Sequence, residues 1–396
     1  MSAAHHDFSL PLFPLDETKG DIESHLRRIL CDLASGWQDA REAAQKERVR
    51  VIREQEGFLQ KHLPLLSDVL ARGRDVDPWQ IEPELALVET QKEKDLARLL
   101  VLAWWSMPYA EACGRRFTLL IRDRQNGRIM GLASFASPIL AMEARDRYLG
   151  VTKENRPRAV NLGLNGFRVG ALPPYDRLLG GKLAAMVLAS REVREIYEGL
   201  YGERSITRTK GASPPKLVYV YTTGAYGRAS IYERLRDRKG NVLAIYIGET
   251  KGYGVMHVSD DISDLLAKFF DSRGIELVRR CGQSSSRLRR MGKVCRLLGV
   301  PDVTFHGHKR AIYLFPHVAN LREAIAGEEP QYIDTPFAEL ASWWKERWAI
   351  PRALRALQGE VADWRTFVPE DLIQEVWAVL RGANFPGSLT SCVEKG

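Results

Sequence analysis

The sequence predicts a mixed α/β protein, and three observations carry that reading. Apolar residues recur at helical spacing through the first hundred positions; from Phe117 the pattern changes to short apolar runs separated by turn residues; and from about 256 a basic, mainly helical stretch follows. Strands that alternate with helices over roughly 115 to 255 argue for a three-layer α/β domain at the centre of the chain.

Residues 1 to 20 carry Pro11 and Pro14 and no apolar period, the composition of a flexible arm. Leu26, Ile29, Leu30 and Leu33 then recur at three and four, and Trp37 to Leu63 reads as one long charged helix with a stripe at Val49, Ile52, Phe58 and Leu59. Another helix is expected over Glu89 to Met107, so 21–110 forms a helical region. Phe117 to Ile121 and Ile129 to Phe135 flank the turn residues Asp123 to Gly127, which predicts a β-hairpin. Pro138 is expected to open a helix through Leu149. A glycine-bearing strand follows in Ala159 to Leu172, then a helix from Tyr175 to about Ser190, a strand at Leu217 to Thr222, a short helix at Ser230 to Arg236 and a strand at Val242 to Gly248. The segment 256–396 reads as helix and loop, with helices at Ile262 to Phe270, Ser285 to Leu298, Pro336 to Trp348 and Pro369 to Arg381.

The net charge is +8, and its placement is informative. Asp271 to Arg310 holds ten Lys/Arg against three Asp/Glu, and Tyr201 to Gly240 holds nine against three, which leaves the rest of the chain slightly acidic. Charge gathered into two segments is the footprint expected of a phosphate-binding surface, because each neutralised phosphate releases counterions. Nucleic acid, with DNA first, is therefore the expected partner. The Arg-rich helix supplies Arg287, Arg289, Arg290, Lys293 and Arg296, of which Arg289, Lys293 and Arg296 share one face. The other reading of the same residues is a solvated helical face. No apolar run is long enough to span a membrane and no signal peptide opens the chain, so a cytoplasmic protein without a membrane partner is expected. Five scattered cysteines, with no CxxC pair, suggest reduced thiols; no metal site is indicated.

Four constellations are candidates for chemistry. In Gly131 to Gly150 a strand end runs into a helix that carries Arg145 and Asp146. Leu172 to Leu183 places Arg177, Gly180, Gly181 and Lys182 on a turn whose amides are able to approach a phosphate, although the spacing is not that of a Walker A loop. Tyr226 and Tyr232 follow a strand, where a tyrosine can donate a proton or stack on a base. Gly248 to Gly254 surrounds Glu249, Thr250 and Lys251 with glycines, and His306 and His308 lead into the basic pair Lys309 and Arg310. Each also has an ordinary structural reading, as a strand-to-helix turn, a half-buried aromatic cluster or a basic loop.

At these places the chain resembles the DruA-like family of the Druantia anti-phage defence system. The likeness runs over about 120 to 255: the small-residue strand and Arg-Asp-Arg helix of Phe135 to Gly150, then Arg156, Arg158, Asn161, Asn165, Phe167 and Arg168, then the tyrosine cluster, and finally Gly248 to Gly252 (GETKG), its most specific motif. The resemblance implies a defence-system component with other defence proteins, including a helicase, as partners. The order of elements is also similar to the GNAT acyltransferase fold. That likeness implies an acyl-CoA turn at Arg177 and Gly180 and a general-acid tyrosine at Tyr232, with Lys182 standing where the usual pattern has Gly or Ala.

Three functions remain open at this point. The first is a DNA-binding defence component that grips phosphates with the Arg-rich helix, Lys251, Lys309 and Arg310, and holds a flipped base or strand end near Arg145, Tyr226 and Tyr232. The second is a GNAT-like transferase that modifies a nucleobase or protein. The third is an assembly subunit without catalysis. The residues themselves name no cofactor.

Overall fold

The computed structural model describes residues 19–35, 40–107, 109, 114–202, 216–254, 260–275 and 283–383, so the arm expected at 1–20 lies outside them but for its last two residues. The chain is mixed α/β. In order, its main elements are α1 (Lys19–Ser35), α2 (Ala40–Glu54), α3 (Glu56–His62), α4 (Leu66–Val69), β1 (Pro83–Leu87), α5 (Gln91–Trp104), β2 (Arg116–Asp123), β3 (Arg128–Ala136), α6 (Glu143–Leu149), α7 (Arg156–Asn161), β4 (Gly163–Ala171), α8 (Gly180–Val187) and α9 (Arg191–Tyr201). These are followed by β5 (Tyr219–Thr223), β6 (Ile245–Glu249), α10 (Asp260–Ser272), α11 (Gln283–Leu298), β7 (Ala311–Pro316), α12 (Leu321–Ala326), α13 (Phe337–Trp344), α14 (Ile350–Leu357) and α15 (Pro369–Leu380).

The contacts divide the chain into two units, Met1–Gln38 with Val258–Phe305, and Asp39–His257 with His306–Gly396. In the first, α1, α10 and α11 pack on one another. Each contributes an apolar stripe at helical spacing: Ile22, Leu26 and Leu30; Ile262, Leu266, Phe269 and Phe270; Met291, Val294, Cys295 and Leu298, all buried.

The second unit is built on one seven-stranded sheet of order β1-β2-β3-β4-β5-β7-β6. β1 to β4 form an antiparallel run, β4 pairs β5 in parallel, and β7 joins β5 and β6 antiparallel to both. Alternate side chains separate to the two faces, as strand geometry requires. Leu119 and Ile121 of β2, Val220 of β5 and Tyr313 and Phe315 of β7 face the layer of α8, α9, α13 and α14. On the other face, Leu120 and Leu132 meet the helices α2 to α5 and α15, while Tyr219, Tyr221, Ile312 and Leu314 meet α6, α7 and α12.

Several elements differ from expectation for identifiable reasons. The helix expected from Trp37 to Leu63 is interrupted at Gln55, between α2 and α3. Pro138 does not start a helix: α6 begins at Glu143, after an extended stretch whose Ile139 amide donates to the Tyr221 hydroxyl. Instead of a helix over Ser230 to Arg236, residues 230–234 form a run of turns, tied down where Lys182 reaches the carbonyls of Ser230 and Glu233, and Arg236 bridges Val242. The segment after 256 contains β7, a central strand of the sheet, in a stretch read from sequence as helix and loop. A strand buried on both faces lacks the alternation that marks a half-buried one.

Two buried ionisable features fix the layers. Arg145, 1% exposed, donates to Asp146 Oδ1 through Nη2 (2.6 Å) and Nε (2.9 Å) and to the Ile139 carbonyl (2.8 Å), and lies over the Tyr221 ring. His317, 3% exposed at the end of β7, has Nε2 2.8 Å from the Leu188 carbonyl after α8, and burial holds its imidazole down to about 4.

Two outcomes follow. Arg145→Met strips Asp146 of its nearest counter-charge and is expected to cost about 3 kcal/mol or more of stability, most of it regained in an Arg145→Met/Asp146→Leu double variant; denaturant melts of the three chains check this. His317 takes up a proton more readily unfolded, near pH 6.5, than folded. Its contribution is therefore complete above about pH 6.5 and lost as pH falls toward about 4, a loss approaching about 3 kcal/mol. Melts between about pH 7.5 and pH 5 should show a steeper decline for the native chain than for His317→Gln, which keeps a donor for Leu188 but does not titrate.

Candidate functional site

The sheet opens where β4 and β5 part. Their parallel ladder is three pairs long, Gly163 with Tyr219, Leu164 with Val220 and Asn165 with Tyr221, and the Thr222 hydroxyl adds a bond of 2.6 Å to the Gly166 carbonyl. Beyond that point the two strands separate and become the walls of a cleft of about 520 Å³. A bulge helps to shape the first wall: Ser134 pairs with Arg168 but Phe135 with Gly166, so Phe167 is the extra residue on β4. Bulges bend a strand and redirect its side chains, and both Phe167 and Arg168 line the cleft.

The rest of the lining comes from distant parts of the unit. α2 contributes Arg41 and Gln45, and the end of α5 contributes Trp104, Trp105 and Ser106. Gly170 makes room for this edge, since a Cβ there would lie 2.5 Å from the Trp104 ring. The segment after β4 supplies Asp176, Leu179, Gly181 and Lys182, that after β5 supplies Gly224 to Tyr226 and Arg228 to Tyr232, and Arg310 comes from the approach to β7. Five cations thus face one carboxylate, among several aromatic rings.

Each candidate residue has a definite place. Lys182 lines the cleft, yet its ammonium is engaged by the carbonyls of Ser230 and Glu233; burial first, and then Arg234, pull it down to about 8. Tyr232 is 4% exposed, its hydroxyl 3.4 Å from Thr222 Oγ1 and its ring packed on Tyr313 and Phe315. Burial pushes its phenol well above the ordinary range, so it keeps its proton. Tyr226 donates to the Ser106 carbonyl (3.3 Å), with the Arg41 guanidinium 5.3 Å from its ring centre. Arg228 pairs with Glu233 (3.1 Å), which also accepts from the Tyr313 hydroxyl (2.6 Å). Asp176 is the single carboxylate of the lining, and burial pushes it up to about 6.

Other candidates lie elsewhere. Arg177 donates to the Asp363 carbonyl and the Thr366 hydroxyl, and Gly180 is packed so closely that a Cβ would sit 2.6 Å from the Tyr175 carbonyl oxygen. Arg145 and Asp146 belong to the α6 layer, and Lys251 pairs with Glu143 at the surface. Lys309 is exposed beside the cleft residue Arg310. In the other unit, Arg289, Lys293 and Arg296 are exposed and Arg290 is partly buried, while the side chain of Arg287 lies outside the described residues. Among the described residues, no group of three His, Cys, Asp or Glu is placed to hold a metal, and no helix is long and apolar enough to cross a membrane.

Sequence reasoning did not find Arg41, Trp104, Trp105, Arg168 or Asp176 as cleft residues. A visible signal existed for the tryptophans: two consecutive large aromatics at the end of an amphipathic helix, more than its own stripe needs.

The GETKG motif has a structural meaning. Gly248 (φ 130°) and Gly252 (φ 77°) hold backbone conformations that side chains disfavour, and a Cβ on Gly252 would meet the Gly307 backbone at 2.8 Å. The loop clamps 306–310: the amides of His306 and Gly307 donate to the Gly252 carbonyl, the Thr250 amide donates to the Arg310 carbonyl (2.9 Å), and the Arg310 amide donates to Thr250 Oγ1 (3.0 Å).

Residues 34–327, a span that includes every strand and every cleft residue, match the family model described as Druantia protein DruA. Druantia protein DruA of Escherichia coli (strain UMEA 4076-1) is 30% identical over 307 residues, which cover 75% of this chain and 75% of that protein. No solved structure matches the chain. With this coverage of the sheet and its cleft, the chain belongs to the Druantia DruA family.

Proposed function

We propose that this protein is a component of an anti-phage defence system that binds nucleic acid, DNA in the first place, through α11. One observation carries the reading. α11 holds Arg287, Arg289, Arg290, Lys293 and Arg296 and no acidic residue, and Arg289, Lys293 and Arg296 are exposed while Met291, Val294, Cys295 and Leu298 are buried. The helix is fixed by its apolar stripe and leaves cations spaced along one side, an arrangement suited to successive phosphates of a backbone. Backbone contacts of this kind position a protein on nucleic acid without reading its sequence, which suits a factor that must meet many invading genomes. Family membership adds an expectation of partner proteins from the same defence system, a helicase among them.

A second reading, a GNAT-like transferase, is favoured by one feature: Tyr232, which keeps its proton, shares the cleft with Gly181 and Lys182 at the start of α8. Against it, Arg177 is turned toward Asp363 and Lys182 is already bonded to two carbonyls. Stabilisation of the chain by acetyl-CoA in a thermal melt, with acyl transfer lost in a Tyr232→Phe variant that still folds, would favour the transferase.

Fluorescence-anisotropy titrations of labelled duplex and single-stranded DNA at several salt concentrations test the first reading. The native chain should lose affinity steeply with salt, and Arg289→Ala/Lys293→Ala/Arg296→Ala should bind more weakly, with the slope of log K against log salt shallower by roughly 2 to 3. Absence of binding at low salt, or an unchanged slope in the variant, would count against it.

A further inference from the structure

Arg310 stands apart from the other cations of the cleft. Lys182 is held by two carbonyls, Arg228 by Glu233, and Arg41 and Arg168 lie over aromatic rings. The Arg310 side chain has no hydrogen bond or ion pair among the described residues, although protein encloses it deeply enough for burial to lower its affinity for its proton. Part of it remains open to the cleft. A guanidinium with five N–H groups does not sit in such a place without cost unless something anionic completes it.

Its position has two physical causes. It stands one residue before β7, in step with Ile312 and Leu314, and so on the Tyr221 face of the sheet, opposite the layer that holds Tyr232. Because β4 and β5 part beside it, it still lines the same cleft. Its backbone is gripped on both sides by Thr250, whose amide donates to its carbonyl and whose hydroxyl accepts from its amide. The GETKG loop thus acts on the cleft through Arg310, although Lys251 itself pairs with Glu143 at the surface.

We infer that the cleft binds a nucleotide by its phosphate, with Arg310 as the phosphate-binding cation and Thr250 as the residue that positions it. A phosphate matches the fork of a guanidinium, the excess of cations over the lone Asp176 favours a multiply charged anion, and the rings of Phe167 and Tyr226, both in the lining, suit a base. The nucleotide can be free or can be the last one of a strand. The choice of nucleotide probes rests on the reading of this chain as a nucleic-acid binder, but the cleft and α11 are tested by separate variants.

Calorimetric titration of the full chain decides the matter with two matched pairs of probes: adenosine monophosphate against adenosine, and a single-stranded oligonucleotide with a 5′-phosphate against the same strand with a 5′-hydroxyl. In the native chain at least one phosphorylated probe should bind roughly 10- to 100-fold more tightly than its partner. Preference within the first pair identifies a free nucleotide as sufficient; preference within the second pair alone identifies a strand end. Arg310→Met should erase the preference and Arg310→Lys should keep part of it. Thr250→Val should weaken it and Thr250→Ser, which retains the hydroxyl acceptor, should restore it. Arg289→Ala/Lys293→Ala/Arg296→Ala should leave the preference intact while losing duplex affinity, which separates this inference from the reading of α11. Equal binding within both pairs by the native chain overturns the inference even if Arg310→Met does not fold, and so does a preference that survives in Arg310→Met.

Discussion

The cleft depends on how short the parallel ladder between β4 and β5 is. Within the sheet, three residue pairs, the bond from the Val218 amide to the Leu162 carbonyl and the bond from the Thr222 hydroxyl to the Gly166 carbonyl join the antiparallel half formed by β1 to β4 to the half formed by β5, β7 and β6. A longer ladder would close the sheet and leave no cavity. The two halves also share one apolar cluster, in which Val220 of β5 packs with Leu164 of β4. The bulge at Phe167 works in the same direction, turning β4 out of register with its antiparallel neighbour just where the parallel partner leaves it.

The opened sheet explains why cations and rings from remote segments meet. Once the strands part, their ends no longer fill each other's hydrogen-bonding edges, and neighbouring elements close around the gap: the end of α5 with Trp104 and Trp105, the start of α8 with Gly181 and Lys182, and the turn that carries Tyr226 and Arg228. Most of these side chains are committed. Lys182 pins the 230–233 turn, Arg228 and Tyr313 share Glu233, and Tyr232 is wedged between Thr222 and two aromatic rings. A cleft whose walls are fixed by such bonds presents its open groups at constant spacing, which lowers the ordering cost of binding.

Much of the fold was legible in the sequence where local pattern and final environment agree. The β2–β3 hairpin could be read because Asp123 to Gly127 is turn chemistry and both flanks are apolar; α10 and α11 could be read because each keeps one stripe. β1 and β7 could not. β1 is a partly exposed edge strand with mixed composition, and β7 is a six-residue apolar run buried on both sides, whose period carries no information. The candidate site divided along the same line. Tyr226, Tyr232, Gly181, Lys182 and Arg310 do line one cleft, but Arg145, Arg177 and Lys251 bond elsewhere, because a charged residue beside a strand end looks the same in sequence whether it completes an internal pair or faces a ligand. Trp104 and Arg168 stand out locally, one in an aromatic pair and the other in the family motif, but their place in the cleft depends on the parting of two strands, which no local pattern records.

On the reading proposed above, α11 grips a nucleic-acid backbone and the cleft holds a nucleotide phosphate, the terminal one of a strand where a strand is bound. Hydrogen–deuterium exchange of the full chain, with and without a single-stranded oligonucleotide carrying a 5′-phosphate, tests it most directly. The account predicts slowed exchange in α11 and in the walls of the cleft, in Thr222 to Tyr226 and around Arg310, against little change in α13 to α15. Protection confined to α13 to α15, or an exchange pattern that the oligonucleotide leaves unchanged, would contradict it.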